Sequence, residues 1–317
     1  MQSNIQSEII HPTEEYAKDL ARFNTEMAFE TEGKKLVDEI INSGVLNLIR
    51  QPKYGSYFTT VQDKKAVGSL LTTYEYNVAL HKQIYWIQSV YVEAHCRGQG
   101  IFRSLYDKAI DEARKKNSYS VKLYVEKTNE KAKGVYTKLG MSNNHQEIYE
   151  VDFGFGGDVN SGFSSVKSGN FSGEKLTISN LEEVAKIKTK HLLGTVKADE
   201  LNIEGLRSIV QRELAGESVV IKEGEKVVGL VSAFPEWSDW RDKVMQWVYD
   251  IKINEEIGVE KHGQYLQVFL KIAYDVLGGS NMGAYRINFK DGRSDLKKAM
   301  LDMGLEESHY YVYEIVL

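Results

Sequence analysis

Cysteine is almost missing from this chain: Cys96 stands alone among 317 residues. A single thiol excludes any internal disulfide and fits a reducing, cytoplasmic setting. No Cys/His cluster has the spacing of metal ligands, so no metal is expected. No apolar run reaches the roughly 18 residues of a membrane span, so no membrane partner is expected. The opening stretch, MQSNIQSEIIHPTEEYAK, lacks the basic-then-apolar pattern of a secretory signal. Basic side chains are outnumbered 40 to 45, leaving a formal net charge of −5. A nucleic-acid binder wants the opposite excess, so no nucleic-acid partner is expected. Amine-bearing partners remain compatible with that balance.

What is present is an ordinary globular composition, 42% hydrophobic and 27% charged, long enough for two domains. The chain also repeats itself. Val67-Gly68 meets Val228-Gly229, Glu75 meets Glu236 and Trp86 meets Trp247, all at an offset of 161. Gly140 meets Gly304 and Tyr149-Glu150 meets Tyr313-Glu314 at an offset of 164. Order and spacing persist together, as expected of two related units with a small insertion. Between them runs GFGGDVNSGFSSVKSGNFSG, more than half Gly and Ser, which reads as a linker with phenylalanines at 155, 163 and 171. The expected division is 1–153, linker 154–174, and 175–317.

Within the first unit, helical spacing and β-branched runs give the order helix, helix, hairpin, strand, loop, helix, strand, helix, strand. The hairpin turns at Gln62-Asp63-Lys64, and the long strand is QIYWIQSVYV. Phe102, Leu105, Tyr106, Ala109, Ile110 and Ala113 form one apolar helix face. The fold class is α/β, with a mixed sheet in each unit.

Between the long strand and that helix lies Arg97-Gly98-Gln99-Gly100. A helix N-terminus offers unpaired N–H groups, glycines allow an anion to approach, and arginine adds a fixed cation. The stretch therefore reads either as a pyrophosphate cradle or as a solvent turn. It fits neither a Walker loop, for want of the following Lys, nor a dinucleotide fingerprint, for want of a third glycine.

Further on, NEKAKGVYTKLGM spaces Asn129, Ala132, Tyr136 and Gly140 by three, four and four. Together the two stretches resemble the Gcn5-related N-acetyltransferase (GNAT) family, over roughly residues 16–153. Arg97, Gly100, Asn129, Ala132, Tyr136, Gly140 and Met141 match its pattern, while Phe102 stands where the family usually has Gly or Ala. The resemblance implies acetyl-coenzyme A as co-substrate and a primary amine, on a small molecule or a peptide, as acceptor. It implies pyrophosphate contacts from the backbone at Arg97, Gly98, Gln99, Gly100 and Phe102, with Arg103, Ser104 and Asn129 nearby. Val90 and Val92 would offer main-chain groups to the pantetheine arm, and Tyr136 would be the general acid. Glu75 is the expected general base, and Glu30 and Glu32 the expected acceptor-side acids. The bland alternatives are a packed Tyr136, a solvated Arg103 and a solvated acidic loop. His81, His95 and His145 are expected on the surface, and Cys96 as an exposed, unreactive residue.

The second unit has NEEIGVEKHGQYL where the first has its glycine turn; the arginine is gone and Glu255, Glu256 and Glu260 add negative charge. Tyr136 meets Met300, and Asn129 meets Arg293. This half is expected to keep the fold without the site. It stands in for the second subunit of a dimer, making a monomeric pseudo-dimer, or it shapes the acceptor cleft. The rival reading of the whole chain is a non-catalytic coenzyme A sensor or scaffold.

Overall fold

A computed structural model describes residues 7–153, 162–211, 216–290 and 293–317. The linker residues 154–161, with Phe155, lie outside them. The first unit runs β1 (Ser7–Ile10), α1 (Ala17–Glu32), α2 (Asp38–Arg50), β2 (Gly55–Gln62), β3 (Lys65–Asn77), β4 (Lys82–Val92), α3 (Ile101–Lys115), β5 (Ser120–Glu126), α4 (Glu130–Lys138), β6 (Ser142–Asn143) and β7 (Glu147–Asp152). The second runs β8 (Phe171–Lys175), α5 (Ile178–Val184), β9 (Thr189–Gly194), α6 (Ile203–Gln211), β10 (Glu217–Glu223), β11 (Lys226–Ser238), β12 (Lys243–Asn254), α7 (His262–Leu277), β13 (Ala284–Phe289), α8 (Ser294–Asp302), β14 (Glu306–Glu307) and β15 (Tyr310–Val316).

Local chemistry sets these bounds. The β2–β3 turn places Asp63 and Lys64 at positive φ, the left-handed pair that a tight hairpin needs. Helix α3 buries Ile101, Leu105, Tyr106, Ala109, Ile110 and Ala113 against the sheet, one residue away from the expected stripe at its start. Phe163 is 1% exposed among Tyr274 and Tyr285, and Phe171 opens β8, so two of the expected linker's phenylalanines are packed residues.

The two stretches of chain do not coincide with the two sheets. One sheet is ordered β1-β2-β3-β4-β5-β15-β6, the other β14-β7-β13-β12-β11-β10-β8. The closing strands have changed places: β15 pairs antiparallel with β5, and β7 with β13. The crossings are symmetric, with Asn144 donating to the Val312 carbonyl and Ser308 to that of Ile148. One core cluster spans the junction, including Trp86 and Tyr76 of one sheet and Phe234, Trp247 and Tyr249 of the other. Tyr124, Trp86 and Trp247 form a three-ring cluster, with Tyr124 at 4.6 and 5.4 Å from the two tryptophans and these 6.0 Å from each other. Burial on this scale is the dominant force available to hold the units together.

Candidate active site

Strands β4 and β5 pair in parallel from Ile84–Ser120 to Ile87–Leu123 and no further. A bulge in the β3–β4 ladder at Leu70/Thr72 accompanies the break. Beyond it a cavity of about 310 Å³ opens between residues 88–90 and 123–126. Tyr136 of α4 lines it, together with Glu236, Trp237 and Arg286 of the second unit. The exchanged strands contribute Glu150 and Tyr310.

The glycine loop follows β4, and Phe102 just beyond it packs toward the cavity-lining Tyr136. Gly98 and Gly100 have φ of 79° and 82°, and a Cβ at either would meet nothing within 4 Å. Residues 97–100 are all exposed, and Gly100 is the N-cap of a 15-residue helix. Open backbone with unpaired N–H groups and no side chain in the way fits a pyrophosphate. Arg97 donates to the Val92 carbonyl (2.9 Å) and pairs with Glu30 (2.8 Å). Arg103 is exposed and pairs with Asp107, as a solvated face residue would, and Ser104 is exposed beside it. Gln99 donates to the His95 carbonyl. Phe102 is partly buried with its ring 6.2 Å from that of Tyr136. Val90 lines the cavity; Val92 lies one strand position pair beyond it.

Asn129 lines the cavity and caps α4 by accepting from the Ala132 N–H (2.9 Å). The Tyr136 phenol is pushed up to about 12, by burial first and by neighbouring Tyr106 second. It is therefore protonated at neutral pH.

Three expectations meet a different placement. Glu75 does not line the cavity. It is 1% exposed, accepts from the Trp86 indole N–H (2.8 Å) and pairs with Lys122 (3.3 Å), itself 2% exposed. A carboxylate sealed in such a pair meets no substrate. Glu30 also lies outside the cavity, bound to Arg97, whereas Glu32 lines it and is held by Lys34 and the Tyr310 hydroxyl. Cys96 is buried, not exposed, and burial raises its thiol. His81, His95 and His145 are exposed.

Glu236, which the repeat aligns with Glu75 and whose stretch Glu236–Arg241 resembles an acceptor-side strand of the family, is not among the expected site residues. It is 1% exposed and lines the cavity; Gln88 (2.5 Å) and Thr73 (3.3 Å) donate to its Oε2. Burial pushes its carboxyl up to about 7, against the opposing pull of Arg286.

The second unit closes the equivalent cleft. Strand β12 pairs with β13 only from Gln246–Tyr285 to Val248–Ile287, as β4 does with β5. There β9 enters and pairs with Asp250 through Asn254. Those positions repeat Ser89 to Glu93 at the 161 offset, so the edge that stays free in β4 is covered in β12. Met300, in the place of Tyr136, is fully buried.

No curated protein matches this chain. Residues 16–141 match the acetyltransferase (GNAT) family. A possible acetyltransferase from Clostridium difficile 630 is 34% identical over 42% of this chain and 89% of its own, with a TM-score of 0.41. A tandem GNAT protein from the clavulanic acid biosynthesis pathway has the same fold over 98% of both chains (TM-score 0.57, 11% identity). So does a GCN5-related N-acetyltransferase from Sphaerobacter thermophilus, over 98% of this chain and 95% of its own (TM-score 0.56, 12% identity). With the glycine loop, the broken β4–β5 ladder and Tyr136 in one place, and a close relative over that unit, the chain belongs to the GNAT family of acetyltransferases.

Proposed function

We propose that the protein transfers an acetyl group from acetyl-coenzyme A to a primary amine, on a small molecule or a peptide, in a ternary complex. The observation that carries this reading is the shared cavity. It brings together the free edge of β4, the Tyr136 phenol and an acceptor-side wall, with an open glycine loop next to it. The loop backbone and Arg97 would hold the pyrophosphate, and Val90 and Val92 the pantetheine arm; bound there, the co-substrate supplies the activated acyl group.

Tyr136 donates toward the departing sulfur. A phenol near 12 cannot simply hand its proton to a free thiolate near 8.5, which is uphill by about 5 kcal/mol. It acts as a hydrogen-bond donor to the developing charge, and completes the transfer as the amine nitrogen gives up its surplus proton. The second unit does not bind a second co-substrate; it walls the acceptor cleft, so that one chain does the work of a dimer. Thiol release from acetyl-coenzyme A over a panel of primary amines tests the reading. Coenzyme A binding without release for any amine would leave a sensor or scaffold instead.

A further inference from the structure

We propose that Glu236, contributed by the unit that lost its own site, is the general base that deprotonates the acceptor amine in the site of the first unit. The proposal rests on the acetyltransferase reading above.

Each unit carries the same constellation of carboxylate, tryptophan and cation. In the first it is Glu75, Trp86 and Lys122; in the second it is Glu236, Trp247 and Arg286. Trp86 pairs across the ladder with Lys122, and Trp247 with Arg286. Each cation also lies over its tryptophan ring, at 5.1 and 4.6 Å. The two copies differ in who holds the cation. Lys122 bonds Glu75 directly, and both are sealed. Arg286 turns instead to Glu150 of the exchanged strand β7, at 2.5 Å. Glu236 is left with neutral donors: Gln88 and Thr73 of the first unit, and the Trp247 indole of its own.

A carboxylate held by neutral donors at the wall of a cavity can take a proton without breaking an ion pair. The same cavity presents Tyr136 and Val90. The charged and titratable groups facing Glu236 are Arg286 of β13, Arg241 beyond β11 and Tyr124 of β5; Asp239 and Glu150 line the cavity with it. Burial outweighs the two arginines and brings the carboxyl to about 7, where a base is half ready at neutral pH.

The step balances as follows. Glu236 takes one proton from the bound ammonium. The freed nitrogen forms the C–N bond as the thioester C–S bond breaks, and Tyr136 gives its proton to the sulfur. The second nitrogen proton replaces the one Tyr136 gave, and Glu236 releases its own to solvent.

The test is the pH dependence of kcat/KM, with acetyl-coenzyme A and the best amine of the panel, in wild type, Glu236→Gln and Glu236→Asp. Wild type is expected to show an acid limb near pH 7. Glu236→Gln should lose about 10²–10⁴-fold at pH 7, and its residual rate should follow the free-amine fraction with no enzymic limb. Glu236→Asp should be slower but keep the limb. Calorimetric coenzyme A affinity should be unchanged in both. Infrared difference titration of the unliganded protein should lose one carboxyl near pH 7 in Glu236→Gln. An active wild type whose acid limb survives Glu236→Gln overturns the proposal and leaves the acetyltransferase reading intact. A wild type that binds coenzyme A but releases thiol with none of the amines in the panel overturns both.

Discussion

Replacing Tyr136 by Phe removes one oxygen and keeps the ring that packs against Phe102. If the phenol supports the leaving thiolate, kcat falls at least about 100-fold, roughly 2.7 kcal/mol, with coenzyme A affinity nearly unchanged. A near-full kcat under chemistry-limited conditions would make Tyr136 a packing residue. Glu75→Gln should give the opposite profile. It strands Lys122 in the core, and breaking a buried pair costs about 3–5 kcal/mol. Thermal unfolding should show the loss, while kcat/KM below the transition stays within a few-fold. Glu236 has a stability signature too. Its carboxyl rises from 4.5 to about 7 on folding. The protonated form is favoured in the fold, so its contribution is complete below pH 4.5 and is lost as pH climbs through 7. That is about 3 kcal/mol at most. Glu236→Gln should therefore raise Tm relative to wild type at pH 8 and leave it unchanged at pH 4; an equal difference at both pH values would contradict the assignment. Tyr136 was legible because its spacing from Asn129 and Gly140 is local. Which of the two aligned glutamates lines the cavity was not, because it depends on contacts between distant strands, such as Glu150 capturing Arg286.

Strand β9 is the element that makes the two clefts differ. It fills the gap that β4 and β5 leave open, so one coenzyme A should bind per chain by calorimetric titration. Arg97→Glu together with Gly100→Asp should abolish that binding. The first change reverses the fixed charge, and the second puts a side chain and a negative charge at a φ of 82° in the cradle. Two equivalent sites, or binding that survives the double change, would refute this. Local periodicity made β4, α3 and the β2–β3 hairpin readable to within a residue or so. Sequence reading attributed the loss of the second site to the missing arginine and the added glutamates. It gave no sign of β9, because a short strand that inserts between two others is defined by distant partners.

At the scale of the molecule, neither half owns a complete sheet. Residues 1–153 alone lack β15, and residues 162–317 lack β7. Co-expressed, the two fragments should assemble into an active complex. Expressed singly, 1–153 should give no monomer with native near-ultraviolet circular dichroism; a stable, coenzyme A-binding monomer would refute the interdependence. The duplication was visible in the offsets of 161 and 164, but the exchange of closing strands was not, since either pairing satisfies the same apolar pattern. The exchange also imposes an order on synthesis. Tyr310 pairs with Glu126 across more than half the length of the chain, and such distant contacts close late. Before residues 310–316 are made, β5 presents a bare edge and the cavity lacks the Tyr310 wall. Until β15 has been made, β5 is an unpaired edge of the kind that invites pairing with a neighbouring chain.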